Sequence, residues 1–290
     1  MMKLIHPLAE LILVGAGPGD PELITLKAYR AMQDAAVILY DNLANTALLD
    51  LAPLSCERIY VGKLPYGEYT AQETIHALIL EKAFARGKVI RLKGGDPFIF
   101  GRGFEELLFA REQGIPASYI PGITSMQAAG LSDIPLTHRN ISESIWVVSG
   151  TKKDGSLSGD LKLAMQSKAT VVIYMGMKKI NEISRVCREE GFGDMPAAII
   201  QHASLPHQKM AKGTAACLPS LAAQHQLTHP AIIIIGKVVG IAEEASGSEG
   251  GPLAINASGG GSRESTASAT GESYSSKPFM EQPAAVARII

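Results

Sequence analysis

The sequence is poor in cysteine and lacks a long apolar run. Its three cysteines, Cys56, Cys187 and Cys217, are odd in number and far apart, which argues against a disulfide framework and against a Cys-x-x-Cys metal site. We therefore expect a reducing, cytoplasmic setting. No apolar stretch approaches the roughly 18–20 residues that span a bilayer, so we expect neither membrane insertion nor export.

The sequence also lacks an excess of charge of either sign. Lys and Arg number 27 against 28 Asp and Glu, and the net charge is −1. Such a balance creates no global field that would attract nucleic acid or an anionic membrane, so recognition of an anionic ligand must be local. At about 100–200 residues per domain, the chain of 290 residues suggests two compact units.

The first 140 residues alternate short apolar runs with amphipathic stretches of helical length. This pattern is typical of parallel strands joined by crossover helices, and it predicts an N-terminal α/β domain over residues 1–140. The predicted strands are Leu11–Val14, Ala36–Tyr40, Glu57–Val61, Lys88–Leu92 and Ala117–Ile120. The predicted helices begin near Pro21, Thr70, Gly103 and Thr124.

A second α/β unit is predicted over residues 141–244. Its predicted strands are Ile145–Ser149, Thr170–Tyr174, Ala197–Gln201 and Ala231–Ile235, and its helices lie around Leu161–Met165, Ile180–Glu190 and Pro219–Gln226. The run Ile232–Ile235 is apolar on both faces and should lie in a sheet interior. From residue 245 to 290 the composition turns to Gly, Ser, Thr, Glu and Ala, which predicts a mostly disordered tail.

The first predicted strand runs directly into a glycine-rich loop, Gly15–Gly19. Closely spaced glycines at a strand-to-helix turn let a ligand approach the backbone, as in a dinucleotide fingerprint. The match fails in detail, because Asp20 stands where the third glycine is needed and Pro18 has no N–H. Asp20 is instead expected to cap a helix that begins at Pro21.

A second glycine loop, Lys93–Pro97, follows the fourth predicted strand and again carries a carboxylate. Both loops should therefore favour a ligand with hydroxyls, an adenine or positive charge over a diphosphate, and S-adenosylmethionine has all three features. Tight turns that need positive φ are the alternative explanation of the glycines. Two such loops at the strand ends of one sheet favour the ligand site.

Several motifs, in order along residues 10–240, resemble the tetrapyrrole methylases, and within that family the uroporphyrinogen-III C-methyltransferases. The block Arg91–Gly103, which contains Gly-Gly-Asp-Pro-Phe, is the most specific, whereas the first glycine loop is shared more widely. The other matching segments are Val14–Pro21, Tyr40–Leu43, Val61–Lys63, Pro121–Thr124, Ile134–Arg139 and Tyr174–Met177.

The resemblance implies a two-domain α/β methyltransferase, usually a homodimer, that binds S-adenosylmethionine in the cleft between its domains. It implies two methyl transfers to uroporphyrinogen III, giving precorrin-2 for siroheme or cobalamin. Asp41 matches the family's proposed proton acceptor and Lys63 its proposed donor, while Arg102, His138 and Arg139 lie in the matching segments and are expected to bind the carboxylates of the substrate. The matched cofactor positions are Pro18, Gly94, Gly95, Asp96, Ile99, Thr124, Ser125, Met175 and Ala203.

The sequence departs from the family pattern at six positions. These are Ala44 for a common Val, Phe104 for Gly, Ser125 for Ala, Asp133 for Gly, Thr151 for His and Ala203 for Gly. Asp133 can keep a left-handed turn, since Asp tolerates that conformation. Thr151 and Ala203 bear on the turnover rate and on the choice of substrate.

Methyl transfer from a sulfonium to a pyrrole carbon needs positioning of donor and acceptor, and it needs no metal. A base near the acceptor ring would raise the nucleophilicity of its carbon, and Asp41 is expected at the carboxyl end of the second strand, where such a base belongs. The plain structural alternative for Asp41 is a loop cap or helix N-cap.

Three other functions compete with this hypothesis. A methyltransferase of the same fold could act on a later corrinoid intermediate. A nicotinamide-dependent oxidoreductase could use Gly15–Gly19 and take Asp41 as its ribose-binding acid, although Pro18 and Asp20 oppose it. The third is a silent binding module whose tail recruits a partner; the presence of Asp41 and Lys63 argues against it.

Overall fold

The structure is a computed structural model that describes residues 8–62 and 70–242. Five parallel strands form the first sheet in the order β3-β2-β4-β1-β5. The strands are β1 Glu10–Gly15, β2 Val37–Tyr40, β3 Glu57–Tyr60, β4 Lys88–Lys93 and β5 Ala117–Ile120. All five predicted strands and their parallel arrangement are confirmed. Lys63 and residues 245–290 lie outside the described residues.

Helices cover both faces of the first sheet: α1 Leu26–Met32, α2 Gln72–Arg86 and α3 Gly103–Glu112. Because side chains alternate along a strand, Ile12 and Val14 pack on the α1 side with Met32, while Leu11 and Leu13 pack against α2 and α3. Burial on both faces explains why β1 and β2 are almost continuously apolar.

Two predicted helices are shorter or tighter than expected. Near Pro21 the chain makes only one 3₁₀ turn, Pro21–Leu23, because Thr25 starts α1 afresh by accepting a bond from the Ala28 N–H. The Asp20 cap on that turn is confirmed by its bond from the Glu22 N–H. After Thr124 the chain forms a 3₁₀ helix over Ser125–Ser132, and Asp133 ends it at φ 55°, which confirms the left-handed turn.

The second sheet has five strands in the order β6-β7-β10-β8-β9, and only the β6–β7 pair is parallel. The strands are β6 Ile145–Ser149, β7 Thr170–Tyr174, β8 Pro196–Gln201, β9 Lys209–Thr214 and β10 Ala231–Ile235. The central place of β10 confirms the prediction for Ile232–Ile235. Strand β9 was not predicted; it is an edge strand with two lysines, a glycine and one buried side chain.

Helices α4 Asp160–Gln166, α5 Ile180–Glu189 and α6 Leu218–Gln224 pack on one face of the second sheet. Its other face packs against Ala128, Ala129 and Ile134, so the segment after β5 lies on the second sheet. In the described residues the remaining 3₁₀ helices are Thr46–Leu51, Met177–Lys179, Ala215–Cys217 and Lys237–Gly240. Within the described ranges no helix is both long and apolar enough to cross a membrane.

Candidate functional site

The glycine loops meet at the carboxyl edge of the first sheet. Gly17 and Gly95 exchange two backbone hydrogen bonds, with N···O distances of 3.2 and 2.7 Å. A Cβ on Gly15 or on Gly122 would collide with the backbone of the other. Gly17 and Gly95 also have positive φ, at 77° and 64°. The tight-turn explanation is therefore confirmed at Gly17 and Gly95, and the close approach of the loops is a further reason for glycine at Gly15 and Gly122.

The second sheet closes this edge with two loops. The Tyr174 hydroxyl, at the end of β7, lies 2.6 Å from the Thr124 hydroxyl and accepts a bond of 2.8 Å from the Met126 N–H. Ser204 Oγ accepts a bond of 3.0 Å from the Asp20 N–H, which brings residues 203–204 beside the first glycine loop. These contacts join the loops that carry the predicted cofactor residues of both halves of the chain.

Asp96 is buried, and its carboxylate binds protein donors from three directions. It accepts bonds from the Phe98 N–H at 2.8 Å, the Gly122 N–H at 3.1 Å and the Tyr119 hydroxyl at 2.5 Å. Burial, together with the bond to Asp96, raises the pKa of Tyr119. The Asp96 side chain therefore ties the second glycine loop to β5 and to the Gly122 turn.

Met175 has a left-handed backbone, with φ 54°, and its side chain is half-exposed. The Thr151 hydroxyl donates a bond of 2.9 Å to the Met175 carbonyl oxygen. Thr151 departs from the family pattern, yet it holds the backbone of a predicted cofactor residue. Ile99 is also partly exposed, whereas Ala203 is buried.

Asp41 immediately follows β2 and has two partners. Its Oδ1 accepts a bond of 3.0 Å from the Leu43 N–H, so the loop-cap role is present. Its Oδ2 pairs with Arg91 Nη2 at 3.0 Å. The side chain is 18% exposed, so it keeps access to a ligand while being held from two sides.

Behind Asp41 lies a cluster of buried charges that the sequence analysis did not identify as a site. The Arg91, Lys93 and Glu106 side chains are 3%, 8% and 0% exposed. Lys93 Nζ lies 3.1 Å from Glu106 Oε1, and Arg91 Nε lies 3.4 Å from Glu106 Oε2. Burial lowers the pKa of Lys93, and the neighbouring Arg91 lowers it further.

A period-of-two signal could have revealed this cluster. Val89, Arg91 and Lys93 share one face of β4, and Val89 is fully buried there. Arg91 and Lys93 therefore lie on a face of β4 that is expected to be buried, and buried cations require buried partners. Glu106 gave no comparable signal, because it sits beside the exposed Glu105 in α3 and resembles an ordinary surface residue.

The predicted substrate residues occupy two separate places. Arg102 is exposed and pairs with Glu105 through a bond of 2.6 Å from Nη2 to Oε2, which raises the pKa of Arg102 and lowers that of Glu105. His138 and Arg139 line a shallow surface depression of about 340 Å³. In the described part of the chain no hydrogen bond or ion pair links them to Asp41 or Arg102.

Among residues 8–62 and 70–242 there is also no group of three or more His, Cys, Asp or Glu side chains placed to hold a metal ion.

A family model described as tetrapyrrole (corrin/porphyrin) methylases matches residues 10–219. The chain belongs to that family. Its glycine loops, Asp41 and the Arg91–Gly103 block all lie within the matched residues.

Curated relatives carry this region as part of a longer protein. A siroheme synthase from Chromobacterium violaceum is 43% identical over 236 residues, which cover 81% of this chain and 50% of that protein. A siroheme synthase from Thiobacillus denitrificans is 42% identical over 239 residues, covering 81% of this chain and 50% of that protein. The chain thus spans about half the length of the curated relatives it matches.

A solved structure matches over its whole length. Uroporphyrin-III C-methyl transferase from Thermus thermophilus, complexed with S-adenyl homocysteine, is 39% identical, with a TM-score of 0.70. The match covers 80% of this chain and 99% of that chain. A cobalt precorrin-4 methyltransferase has a TM-score of 0.71 at 23% identity, a likeness that concerns the fold alone.

Proposed function

We propose that this chain catalyses S-adenosylmethionine-dependent C-methylation of uroporphyrinogen III, with two methyl transfers that give precorrin-2. The observation that carries the proposal is the 39% identity to a uroporphyrin-III C-methyl transferase over 99% of that enzyme. The geometry agrees, because the glycine loops and Asp41 lie together at the carboxyl edge of a parallel sheet, where α/β proteins bind ligands.

The residues at this edge fit S-adenosylmethionine. A Cβ on Gly94 would collide with Leu43, so glycine lets these loops lie close together, and Ile99 and Met175 present apolar surface that an adenine can contact. Asp20 already complements the positive end of the first turn, which disfavours a diphosphate there. The proposed cofactor residues are Pro18, Gly94, Gly95, Asp96, Ile99, Thr124, Ser125, Met175 and Ala203.

When bound, the cofactor supplies a methyl group on a sulfonium, which is already a good leaving group. The protein has to position the acceptor ring and to accept the proton that the ring loses. We assign Asp41 as the acceptor of that proton, because its carboxylate is held in place yet remains partly exposed. Lys63 is the proposed donor.

Uroporphyrinogen III carries many carboxylates, so cations should bind its rim. Arg102, His138 and Arg139 are exposed and are the proposed contacts. Arg102 would have to share its guanidinium between Glu105 and the substrate. We also propose a homodimer, as in the family, and a cytoplasmic setting, which three free cysteines support.

The test is anaerobic incubation of the purified chain with uroporphyrinogen III and methyl-labelled S-adenosylmethionine, followed by product mass. The proposal expects two added methyl groups on each substrate molecule. Binding of S-adenosylhomocysteine without any methylation of uroporphyrinogen III would contradict the substrate. Methylation of a later corrinoid intermediate instead would assign the chain to another branch of the family.

A further inference from the structure

The charges behind Asp41 are arranged on one face of the first sheet. Asp41 follows β2 and shares the face of Val37 and Leu39. On β4, Arg91 and Lys93 share the face of Val89. Leu39 and Arg91 are partners in the β2–β4 register. Buried ion pairs give little or no net stability over apolar side chains, because desolvation offsets their attraction. Core packing alone therefore does not account for the three buried charges of Arg91, Lys93 and Glu106.

The Arg91 guanidinium is clamped by backbone as well as by carboxylates. Its Nη1 donates to the Leu92 carbonyl at 2.9 Å and to the Leu39 carbonyl at 3.4 Å, while Nη2 donates to Asp41 Oδ2 at 3.0 Å. Because the donors of a guanidinium have a fixed planar geometry, these bonds fix the direction from which Asp41 is held.

Glu106 forms an ion pair with Arg91 at the Nε of the guanidinium, where Arg91 Nε and Glu106 Oε2 make no hydrogen bond. Its Oε2 faces Arg91 Nε at 3.4 Å, and its Oε1 accepts bonds of 3.1 Å from Lys93 Nζ and 3.1 Å from Gln72 Nε2. The carboxylate is thus held between β4 and the first turn of α2. Two anions and two cations balance within the cluster, so none of these charges is left without an opposite partner.

We propose that Arg91 and Glu106 are positioning residues that orient the Asp41 carboxylate for proton transfer. The proposal rests on the proposed function, in which Asp41 is the base. Arg91 does not give up its proton in proteins, so it orients Asp41 without exchanging a proton with it. The Leu43 N–H holds Oδ1 and Arg91 holds Oδ2, which leaves one plane for the carboxylate. Lys93 and Gln72 act one step further away, by holding Glu106.

The experiment is a double-mutant cycle between Asp41→Asn and Arg91→Lys, with kcat for methyl transfer as the measurement. Arg91→Lys keeps the charge and removes the planar fork, so kcat should fall roughly 10–100-fold through misplacement of the base. Its dissociation constant for S-adenosylhomocysteine should stay within about twofold of the wild-type value. In the Asp41→Asn background the same substitution should have almost no further effect, because the group it orients is gone.

Glu106→Gln is the second variant, since it keeps the shape of the side chain and removes one charge. Glu106→Gln should lower kcat, as Arg91→Lys does. It should also displace the acidic limb of the pH–rate profile, which a purely structural role would not move. Arg58→Lys is the matched control: Arg58 lies on β3 and pairs with Asp50 at 3.4 Å, and its kcat should be unchanged.

Two results separate the proposals. If Asp41→Asn lowers kcat but the losses of Asp41→Asn and Arg91→Lys multiply, the positioning role is wrong while the base assignment stands. If Asp41→Asn is as active as the wild type, Asp41 is not the base and the proposed mechanism fails first. Wild-type activity in Arg91→Lys, with an unmoved pH–rate profile in Glu106→Gln, would also overturn the positioning role.

Discussion

The first sheet is parallel throughout and ends in charged residues and glycine turns, whereas the second is mostly antiparallel and has a central strand of four isoleucines. Parallel strands bring all their carboxyl ends to one edge, so Asp41, Arg91 and the Gly94–Asp96 loop meet there. The second sheet contributes Tyr174 from the end of β7 and Met175 and residues 203–204 from loops, while its strands form a core. We call the carboxyl edge of the first sheet, with Asp41, Arg91 and the Gly94–Asp96 loop, the reactive edge. The second sheet, with strands β6 to β10, is the supporting wall.

The largest effect is expected at the reactive edge. Asp41→Asn keeps the shape and removes the proposed base, so kcat should fall on the order of 10²–10⁴-fold, the usual contribution of a positioned base. Binding of S-adenosylhomocysteine, measured by calorimetry, should be nearly unchanged. Asp50→Asn is the control, because Asp50 is 80% exposed and lies on the 3₁₀ helix before β3. Equal activity in both variants would place the base elsewhere.

A substitution in the wall should instead change stability. Ile233 is fully buried on β10, so Ile233→Ala should lower the free energy of unfolding by about 2–5 kcal/mol. Urea denaturation measures this loss, and kcat per folded molecule should stay within about twofold of the wild-type value. Leu163→Ala, at a position 57% exposed, should cost no more than about 0.5 kcal/mol. A specific loss of kcat in Ile233→Ala would contradict the separation.

Close approach of the glycine loops gives an intermediate effect. A Cβ on Gly122 would meet the Gly95 carbonyl oxygen and the Gly15 Cα, so Gly122→Ala should force these loops apart. Overpacking of this kind costs about 1–3 kcal/mol. We expect a weaker dissociation constant for S-adenosylhomocysteine together with a lower melting temperature. Gly130→Ala is a matched control, since nothing lies within 4 Å of its added Cβ. Similar affinities in the two variants would show that the loops can separate freely.

The smallest effect is expected where the wall touches the edge. Tyr174→Phe removes the hydroxyl that accepts from Met126 N–H and bonds Thr124, and each such bond contributes about 0.5–1.5 kcal/mol. Affinity for S-adenosylhomocysteine should weaken roughly threefold to tenfold, measured by titration. Tyr29→Phe, which removes only an exposed bond with Gln33, should leave it unchanged. An equal affinity in Tyr174→Phe would mean that the wall does not order the Thr124 loop.

Most of the fold was predictable because its signals are local. Apolar runs located nine of the ten strands in the described residues, Asp20 was recognisable as a cap from its chemistry, and Asp133 as a left-handed residue because the family has glycine there. The missed strand β9 is an edge strand whose Lys-Met-Ala-Lys-Gly-Thr sequence has no alternating apolar face. The helix after Thr124 is 3₁₀, and its Ala128 and Ala129 pack against the second sheet, a long-range contact that the sequence does not display.

The site was predictable only in part, since its contacts join residues that are distant in sequence. Asp41 was identified as a residue, but its partner Arg91 lies 50 positions away on a neighbouring strand. The Asp96 carboxylate accepts hydrogen bonds from Tyr119 and from the Gly122 turn, and only the folded chain brings these groups together. The division into domains at residue 140 and the role of Lys63 stay predictions.

The most direct test of the central claim is a crystal structure of this chain with S-adenosylhomocysteine. The account predicts that the ligand lies at the carboxyl edge of the first sheet, between the Gly94–Asp96 loop, Thr124–Ser125 and Met175, with its sulfur on the side of Asp41. A ligand bound away from this edge, or one whose sulfur is turned away from Asp41, would contradict it.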